Sequence, residues 1–295
     1  MFNTKHKPEI GVAEDVAEGL QVVTAPNASP MTFTGTRSYI LGDREVAIID
    51  PGPNDPAHLS ALKRVIGGRR ISHVFVTHSH VDHSPLAQAF EAPVLAFGPS
   101  GAGMSAVMRG LGPLGGGEGI DTDFRPDQLL ADGDIVKGDG WALEAVHTPG
   151  HMSNHLCFAF EGGLLSGDHV MAWSTTLVSP PDGDHMQFMA SLRKLQRRGE
   201  ARYFPGHGPV LEEPQAMLAH QIAHRRAREA QILEALPNDI PAITAQVYKG
   251  LDSRLLPMAA RNVFSHLIDL CQRGKVQCNG PISFNGRYQR AEQHA

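Results

Sequence analysis

Seven residues, Thr77-His78-Ser79-His80-Val81-Asp82-His83, constrain this 295-residue chain more than any other segment. They follow an apolar strand, Val74-Phe75-Val76, and precede a segment from Pro85 to Phe90 that reads as a helix. A strand feeding a helix through a polar loop belongs to an α/β layered fold. Loops beyond strand ends are where such sheets place their chemistry. His78 and His80 lie two apart, so in an extended chain their side chains point the same way. Asp82 and His83 fall on the following turn and can face a second ion. Six residues cannot complete two four-coordinate sites, so further ligands must come from elsewhere.

Three other strand ends supply them. His151 lies in Thr148-Pro149-Gly150-His151, after a strand over 141–146. Asp168 lies in Ser166-Gly167-Asp168-His169, after Leu164-Leu165. His207 lies in Pro205-Gly206-His207-Gly208, after Tyr203-Phe204. Each has an adjacent glycine that allows close backbone approach. The set suits two metals with a shared carboxylate: His78, His80 and His151 on one, Asp82, His83 and His207 on the other, and Asp168 between. Five imidazoles and two carboxylates fit zinc, with iron or manganese as alternatives. Asp168 would fix the metal spacing and Asp82 would also orient a nucleophile, which makes these two the candidate catalytic residues. Asp50 ends the strand over 46–49, where it either orients a ligand histidine or caps a turn.

The remaining pattern is that of one large domain with an appendix. Ser38 to Leu41 and Val46 to Ile49 form a hairpin around Gly42-Asp43-Arg44-Glu45, and Asp55-Pro56 opens an amphipathic helix. Strands return at 94–97, 135–136, 141–146, 156–160 and 164–165, with helical spacing over 188–198. Residues 98–119 hold nine glycines and read as a mobile loop or lid. Pro214 begins a long helix, followed by helices over 243–250 and 257–273 and a turn into a strand at 274–278. Charge breaks at the same place. Residues 1–219 carry 16 Lys+Arg against 25 Asp+Glu, net −9, and residues 220–295 carry 10 against 6, net +4. The expected domains are therefore a catalytic body over 1–215 and a linking helix with a winged-helix-like unit over 216–295.

Taken together, the His78-Ser-His80-Val-Asp82-His83 run followed by His151, Asp168 and His207 resembles the metallo-β-lactamase-fold hydrolases. The order of motifs through Pro205-Gly-His207-Gly-Pro209 and His224-Arg225-Arg226, with the winged-helix-like tail, resembles the β-lactamase-like protein group that includes a mitochondrial endoribonuclease. The resemblance implies an αββα sandwich with two metals at one edge. It departs from that group at Gly35-Thr36-Arg37-Ser38, where an Asn-Thr pair is usual, so a substrate role there is not carried over.

The implied function is a dinuclear metal-dependent hydrolase in which a metal-bridging hydroxide attacks an ester, thioester or lactone. The alternatives are an endoribonuclease acting on single-stranded RNA and a non-catalytic nucleic-acid-binding module. No phosphate-binding GxxxxGK[ST] and no GxSxG nucleophile elbow occurs in the sequence. The expected cofactors are two divalent ions, foremost Zn2+, and the expected partner is a small ester-like substrate. RNA is the other candidate partner, and the tail is equally suited to pairing two copies as a homo-oligomer. Three scattered cysteines exclude a disulfide framework. With no apolar stretch near the N-terminus, a soluble cytoplasmic protein is expected and no membrane association. Among the other histidines, His155 is expected behind the ligands, and His169 is a candidate for touching substrate. His185 is placed in a polar loop. Trp173 is placed to wall the pocket.

Overall fold

The computed structural model describes residues 2–112, 114 and 119–292, so His294 and five positions of the glycine-rich segment lie outside the described residues. Its helices are α1 (Pro56–Ile66), α2 (Ala106–Gly110), α3 (His185–Gln196), α4 (Pro214–Glu234), α5 (Ile240–Val247) and α6 (Leu256–Gln272). The first sheet runs, in spatial and chain order, β1 (Ala13–Ala17), β2 (Leu20–Thr24), β3 (Arg37–Leu41), β4 (Glu45–Ile49), β5 (Arg70–Phe75), β6 (Val94–Ala96) and β7 (Gln128–Leu129). The second holds β8 (Ile135–Gly138), β9 (Trp141–His147), β10 (Leu156–Phe160), β11 (Gly163–Gly167) and β12 (Tyr203–Pro205). A small third sheet pairs β13 (Asn238–Asp239), β15 (Arg287–Arg290) and β14 (Val276–Cys278) in that spatial order.

Strand alternation builds the layers. Tyr39 and Leu41 of β3, and Ala47 and Ile49 of β4, face the second sheet and meet Leu143, Leu156, Phe158 and Phe204. Their neighbours Ile40, Val46 and Ile48 face the other way, onto Ala61, Leu62 and Ile66 of α1. Cys157 and Leu164 likewise turn outward from the second sheet onto Phe188 and Leu192 of α3 and Met217 and Leu218 of α4. Strands that bury both faces require a helix on each side, which gives the αββα sandwich. Each fully buried Leu, Ile or Phe here contributes roughly 1.5–3 kcal/mol of burial free energy.

Pairing sets where the strand ends open. Ile49 of β4 lies beside Phe75 of parallel β5, so Asp50 and the 77–83 loop emerge together. Gly167 of β11 lies beside Pro205 of parallel β12, so Asp168 and His207 emerge together. A bridge between Thr36 and His207 ties the two sheets at that edge.

Two segments depart from expectation. The stretch over Pro85–Ala89 is a 3-10 turn and not an α-helix. The glycine-rich segment is not a loose lid where it is described. Ser105 caps α2 by accepting from the Met108 amide, and Met108 is fully buried in the C-terminal core with Met104, Val107 and Leu111 against it. Those four positions follow an i, i+3, i+4, i+7 stripe that the glycines around them obscure. Beyond it, Val81 N donates to Gly119 O, which fastens the metal-loop tip.

The C-terminal unit has the helix–helix–strand–strand order of a winged helix. Its second helix, α6, is not free to enter a groove: every residue from Arg261 to Leu270 is buried. Among the described residues, no helix is long and apolar enough to cross a membrane.

Candidate metal centre

All seven residues singled out in the sequence converge on one edge of the sandwich. His78 Nε2 lies 2.8 Å from His80 Nδ1, and His151 Nε2 lies 3.1 Å from the same atom. Asp168 Oδ2 is 3.9 Å from His78 Nε2 and 3.7 Å from His151 Nε2. On the other side, His83 Nε2 and His207 Nε2 are 3.3 Å apart. Asp82 Oδ2 lies 3.4 Å from the first and 3.2 Å from the second, and Asp168 Oδ2 lies 3.5 and 3.2 Å from them. Ligand atoms held at 2.0–2.2 Å around a tetrahedral ion are separated by roughly 3.3–3.6 Å. Both donor sets therefore have spacing that fits a divalent ion, and the shared atom is a carboxylate oxygen. The other oxygen, Asp168 Oδ1, is buried with no hydrogen-bond partner among the described residues. Gly206 makes room for it, since a Cβ there would stand 2.5 Å from Asp168 Oδ1.

The ligand rings are oriented from behind. His151 Nδ1 donates to Leu177 O at 2.9 Å and His207 Nδ1 to Gly35 O at 3.3 Å. A carbonyl can only accept, so Nδ1 carries a proton and Nε2 is the nitrogen turned toward the cluster. Asp50 does the same for two more rings. Its Oδ2 accepts from His83 Nδ1 at 2.9 Å and from Thr77 Oγ1 at 2.7 Å, while its Oδ1 accepts from the Thr77 amide at 2.7 Å. Thr77 Oγ1, its own proton spent on Asp50, accepts from His78 Nδ1 at 2.8 Å. Asp50 thus positions the His83 ring and, through Thr77, the His78 ring, and does not merely cap a turn; its φ is positive at 50°.

Charge in the metal-free cluster follows from this crowding. Burial opposes protonation of His83, but the carboxylates of Asp82, Asp168 and Asp50 outweigh it and raise its pKa well above the usual value. Burial likewise opposes, and Asp168 and Asp82 override it, to lift His207 to about 10. Burial also disfavours ionised Asp82 and Asp168, yet the imidazolium charges of His83 and His207 hold both pKa values well below the usual carboxylate range. His78 goes the other way, lowered by burial and then by the charges of His83 and His80.

Metal loading must therefore displace protons. Zinc titrated into chelator-treated protein at pH 7 should release protons, those held by His83 and His207 among them. Calorimetry in buffers of different ionisation enthalpy reads that release, and a release near zero would contradict the charge assignment. The sign for stability follows too. The His207 contribution in metal-free protein is complete below about pH 6.5 and is lost as pH rises through about 10.

The other histidines sort by contact. His155 Nε2 accepts from the Asp168 amide at 3.2 Å, so it supports the shared carboxylate from behind. His169 does not reach the cleft. It is fully buried and stacked on Phe188 at 4.7 Å, and burial, then the charges of His151 and Arg225, lowers its pKa to about 3. His185 is not in a loop but begins α3, buried against His266 at 3.9 Å. Trp173 does wall the site, stacked on Phe33 at 4.8 Å.

Sequence reasoning missed the loop at Gly35-Thr36. Thr36 Oγ1 donates to Asp82 Oδ2 at 3.1 Å, and Asn27 Nδ2 donates in turn to Thr36 Oγ1 at 2.8 Å. Arg225, named in sequence only within the His224-Arg225-Arg226 run, is a fully buried guanidinium of α4 that donates to Thr176 O and, at 2.6 Å, to Asn262 Oδ1 of α6. Thr176 Oγ1 donates to Asp168 O at 3.0 Å, so this arginine joins the C-terminal helices to the shared carboxylate's loop.

The cluster forms the floor of a cleft of about 720 Å³ lined by His80, Asp82, His151, Asp168 and His207, and by residues of the C-terminal unit. Comparison with known proteins agrees with this architecture. Residues 31–207 match the sequence profile of the metallo-beta-lactamase superfamily, and residues 240–281 match that of the beta-lactamase associated winged helix domain. The chain is 32% identical over 271 residues to the beta-lactamase-like protein 2 homolog of Drosophila melanogaster, covering 85% of this chain and 87% of that one. It is 30% identical over 239 residues to an atrochrysone carboxyl ACP thioesterase of Aspergillus fumigatus, covering 78% of this chain and 69% of the relative. In fold it resembles a beta-lactamase domain protein from Burkholderia ambifaria, with a TM-score of 0.80 at 22% identity over 97% of this chain and 96% of that one. The chain belongs to the metallo-beta-lactamase superfamily of hydrolases, with that superfamily's associated winged-helix domain toward its C-terminal end.

Proposed function

We propose that the chain is a dinuclear hydrolase that cleaves an acyl thioester. The observation that carries this reading is the pair of donor sets sharing Asp168 Oδ2 at the floor of a largely apolar cleft. His78, His80, His151 and Asp168 would hold one ion, and Asp82, His83, His207 and Asp168 the other. Zinc suits the five imidazoles and two carboxylates. Two such ions would supply a water nucleophile active at neutral pH and an electrophile for the substrate carbonyl.

The protein's own residues do the rest. Asp168 fixes the spacing of the two sets, and His155 and Thr176 fix Asp168 through its backbone. Thr36 holds Asp82 at the mouth of the second set. Trp173, Met171 and Leu177 screen the reacting carbonyl from bulk water. Residues 1–215 form the catalytic body in this reading, and residues 216–295 close one side of the cleft.

The cleft chemistry favours an acyl group over a polyanion. Among its described lining residues Arg228 alone is a Lys or Arg, and its guanidinium lies over the Tyr248 ring at 4.1 Å and donates to Val247 O and Gln231 Oε1. His224 beside it is held neutral, its pKa lowered to about 4 by burial and then by the charges of Arg225 and Arg228. RNA binding draws on several phosphate contacts from basic side chains. The thioesterase name of the Aspergillus fumigatus relative points the same way.

The test is a parallel assay of zinc-loaded protein on an acyl thioester, a lactone, a β-lactam and single-stranded RNA. The thioester should be turned over at least tenfold faster, by kcat/KM, than the other three. RNA cleavage without thioester hydrolysis would overturn the reading.

A further inference from the structure

The winged-helix unit faces the wrong way for a nucleic-acid reader. A winged helix reads DNA by laying its second helix in the major groove. Here that helix, α6, is buried over its whole central length, and Arg261 is spent on Ser179 Oγ at 3.2 Å and Pro180 O at 2.9 Å of the catalytic body. What the unit offers instead is the elbow between α5 and α6. Tyr248, Leu251, Leu255 and Met258 from this elbow line the same cleft as His80, His151 and Asp168. Leu251, Leu255 and Met258 are half-buried, so each keeps apolar surface in reach of a ligand.

The elbow is also held in register with the chemistry. Asn262 Nδ2 donates to the Tyr248 hydroxyl at 2.7 Å, and Asn262 Oδ1 accepts from Arg225, which donates to Thr176 O beside the Asp168 loop. The wall and the metal floor are thereby coupled through one chain of hydrogen bonds. Pockets of 300–1,000 Å³ with apolar walls and a few convergent polar groups take small ligands of drug-like bulk. A cleft of about 720 Å³ has room beyond the reacting carbonyl for an extended apolar group.

We infer that the α5–α6 elbow of the winged-helix unit is the acyl-binding wall of the metal cleft, with Leu255 and Met258 selecting substrates that carry a medium-length apolar acyl group. This rests on the thioesterase reading for the chemistry, but the wall itself does not depend on turnover. Met31 and Trp173 line the same cleft and add to its apolar surface. An octanoyl group offers that apolar wall a surface to bury, which an acetyl group lacks.

The experiment compares octanoyl- and acetyl-N-acetylcysteamine as substrates of zinc-loaded full-length protein, and measures 1-octanol binding to metal-free protein by calorimetry. Wild type should favour the octanoyl thioester. In Leu255→Glu and in Met258→Glu the octanoyl-to-acetyl ratio of kcat/KM should fall at least tenfold, and 1-octanol should bind at least tenfold more weakly. Met258→Leu should restore both values, which a general loss of fold would not allow. If wild type hydrolyses neither thioester yet binds 1-octanol and the Glu variants weaken it, the wall stands and the thioester assignment falls. If the ratio is unchanged while both substrates decline together, or if wild type shows neither octanoyl preference nor 1-octanol binding, the inference is overturned.

Discussion

Asp168→Ala should leave a folded protein that retains less than one metal ion per chain and has lost at least about 10³-fold in kcat/KM, the equivalent of several kcal/mol of metal-derived transition-state stabilisation. The expectation follows from geometry. Asp168 Oδ2 is within 3.9 Å of both donor sets, touching His78 and His151 on one side and His83 and His207 on the other. Removing it deletes a ligand from each set at once. It also removes one of the carboxylates that balance positive charge on His83 and His207, so the cluster has less negative charge with which to hold divalent ions. Fold retention is expected because Asp168 follows β11 and its backbone is held independently, by His155 and Thr176. Metal content by elemental analysis, read beside the circular dichroism spectrum, separates metal loss from unfolding. A variant that keeps two ions and full activity would contradict the shared-carboxylate geometry.

The second large effect is expected at Asp50, which would touch no ion. Asp50→Asn keeps an oxygen for the Thr77 amide but replaces the acceptor facing His83 Nδ1 and Thr77 Oγ1 with a donor. His83 then has no partner that fixes its proton on Nδ1, and Thr77 no longer relays to His78. Loss of such a supporting acceptor typically costs about 10–100-fold in metal affinity or activity. Competition with a chelator of known affinity should show zinc binding weakened by about that factor. Unchanged affinity would mean that the ligand rings are oriented by packing alone.

The legibility of this chain was uneven for physical reasons. The ligands were readable because each needs a chemically distinctive side chain just past an apolar strand, and strands with both faces buried stand out as continuous runs. Val74-Phe75-Val76 before His78 and Leu164-Leu165 before Asp168 are of that kind. The edge strands were not. β1 (Ala13–Ala17) buries only Val16, and β7 (Gln128–Leu129) is exposed throughout, so neither leaves an apolar signature. Asp50 was ambiguous because a turn-capping aspartate and a ligand-orienting one share the same sequence context. Only the fold brings Thr77 and His83 to its two oxygens. Arg225 was unreadable for a related reason. In sequence it sits in a basic run, His224-Arg225-Arg226, that resembles a solvated helix face. In the fold it is fully buried between Thr176 and Asn262. The net charge of +4 over residues 220–295 did not say where the tail would face; in the fold α6 turns its central length inward and leaves the elbow to the cleft.

On the proposed reading this chain hydrolyses its substrate with two ions held by seven residues, Asp168 being shared between them. The most direct measurement is zinc titration of chelator-stripped wild-type protein, with bound metal and thioester hydrolysis followed on the same samples. Binding should saturate at about two ions per chain, as donor sets that share a carboxylate require, and activity should reach its maximum only at that ratio. Saturation at one ion with full activity, or full activity in the stripped protein, would contradict it.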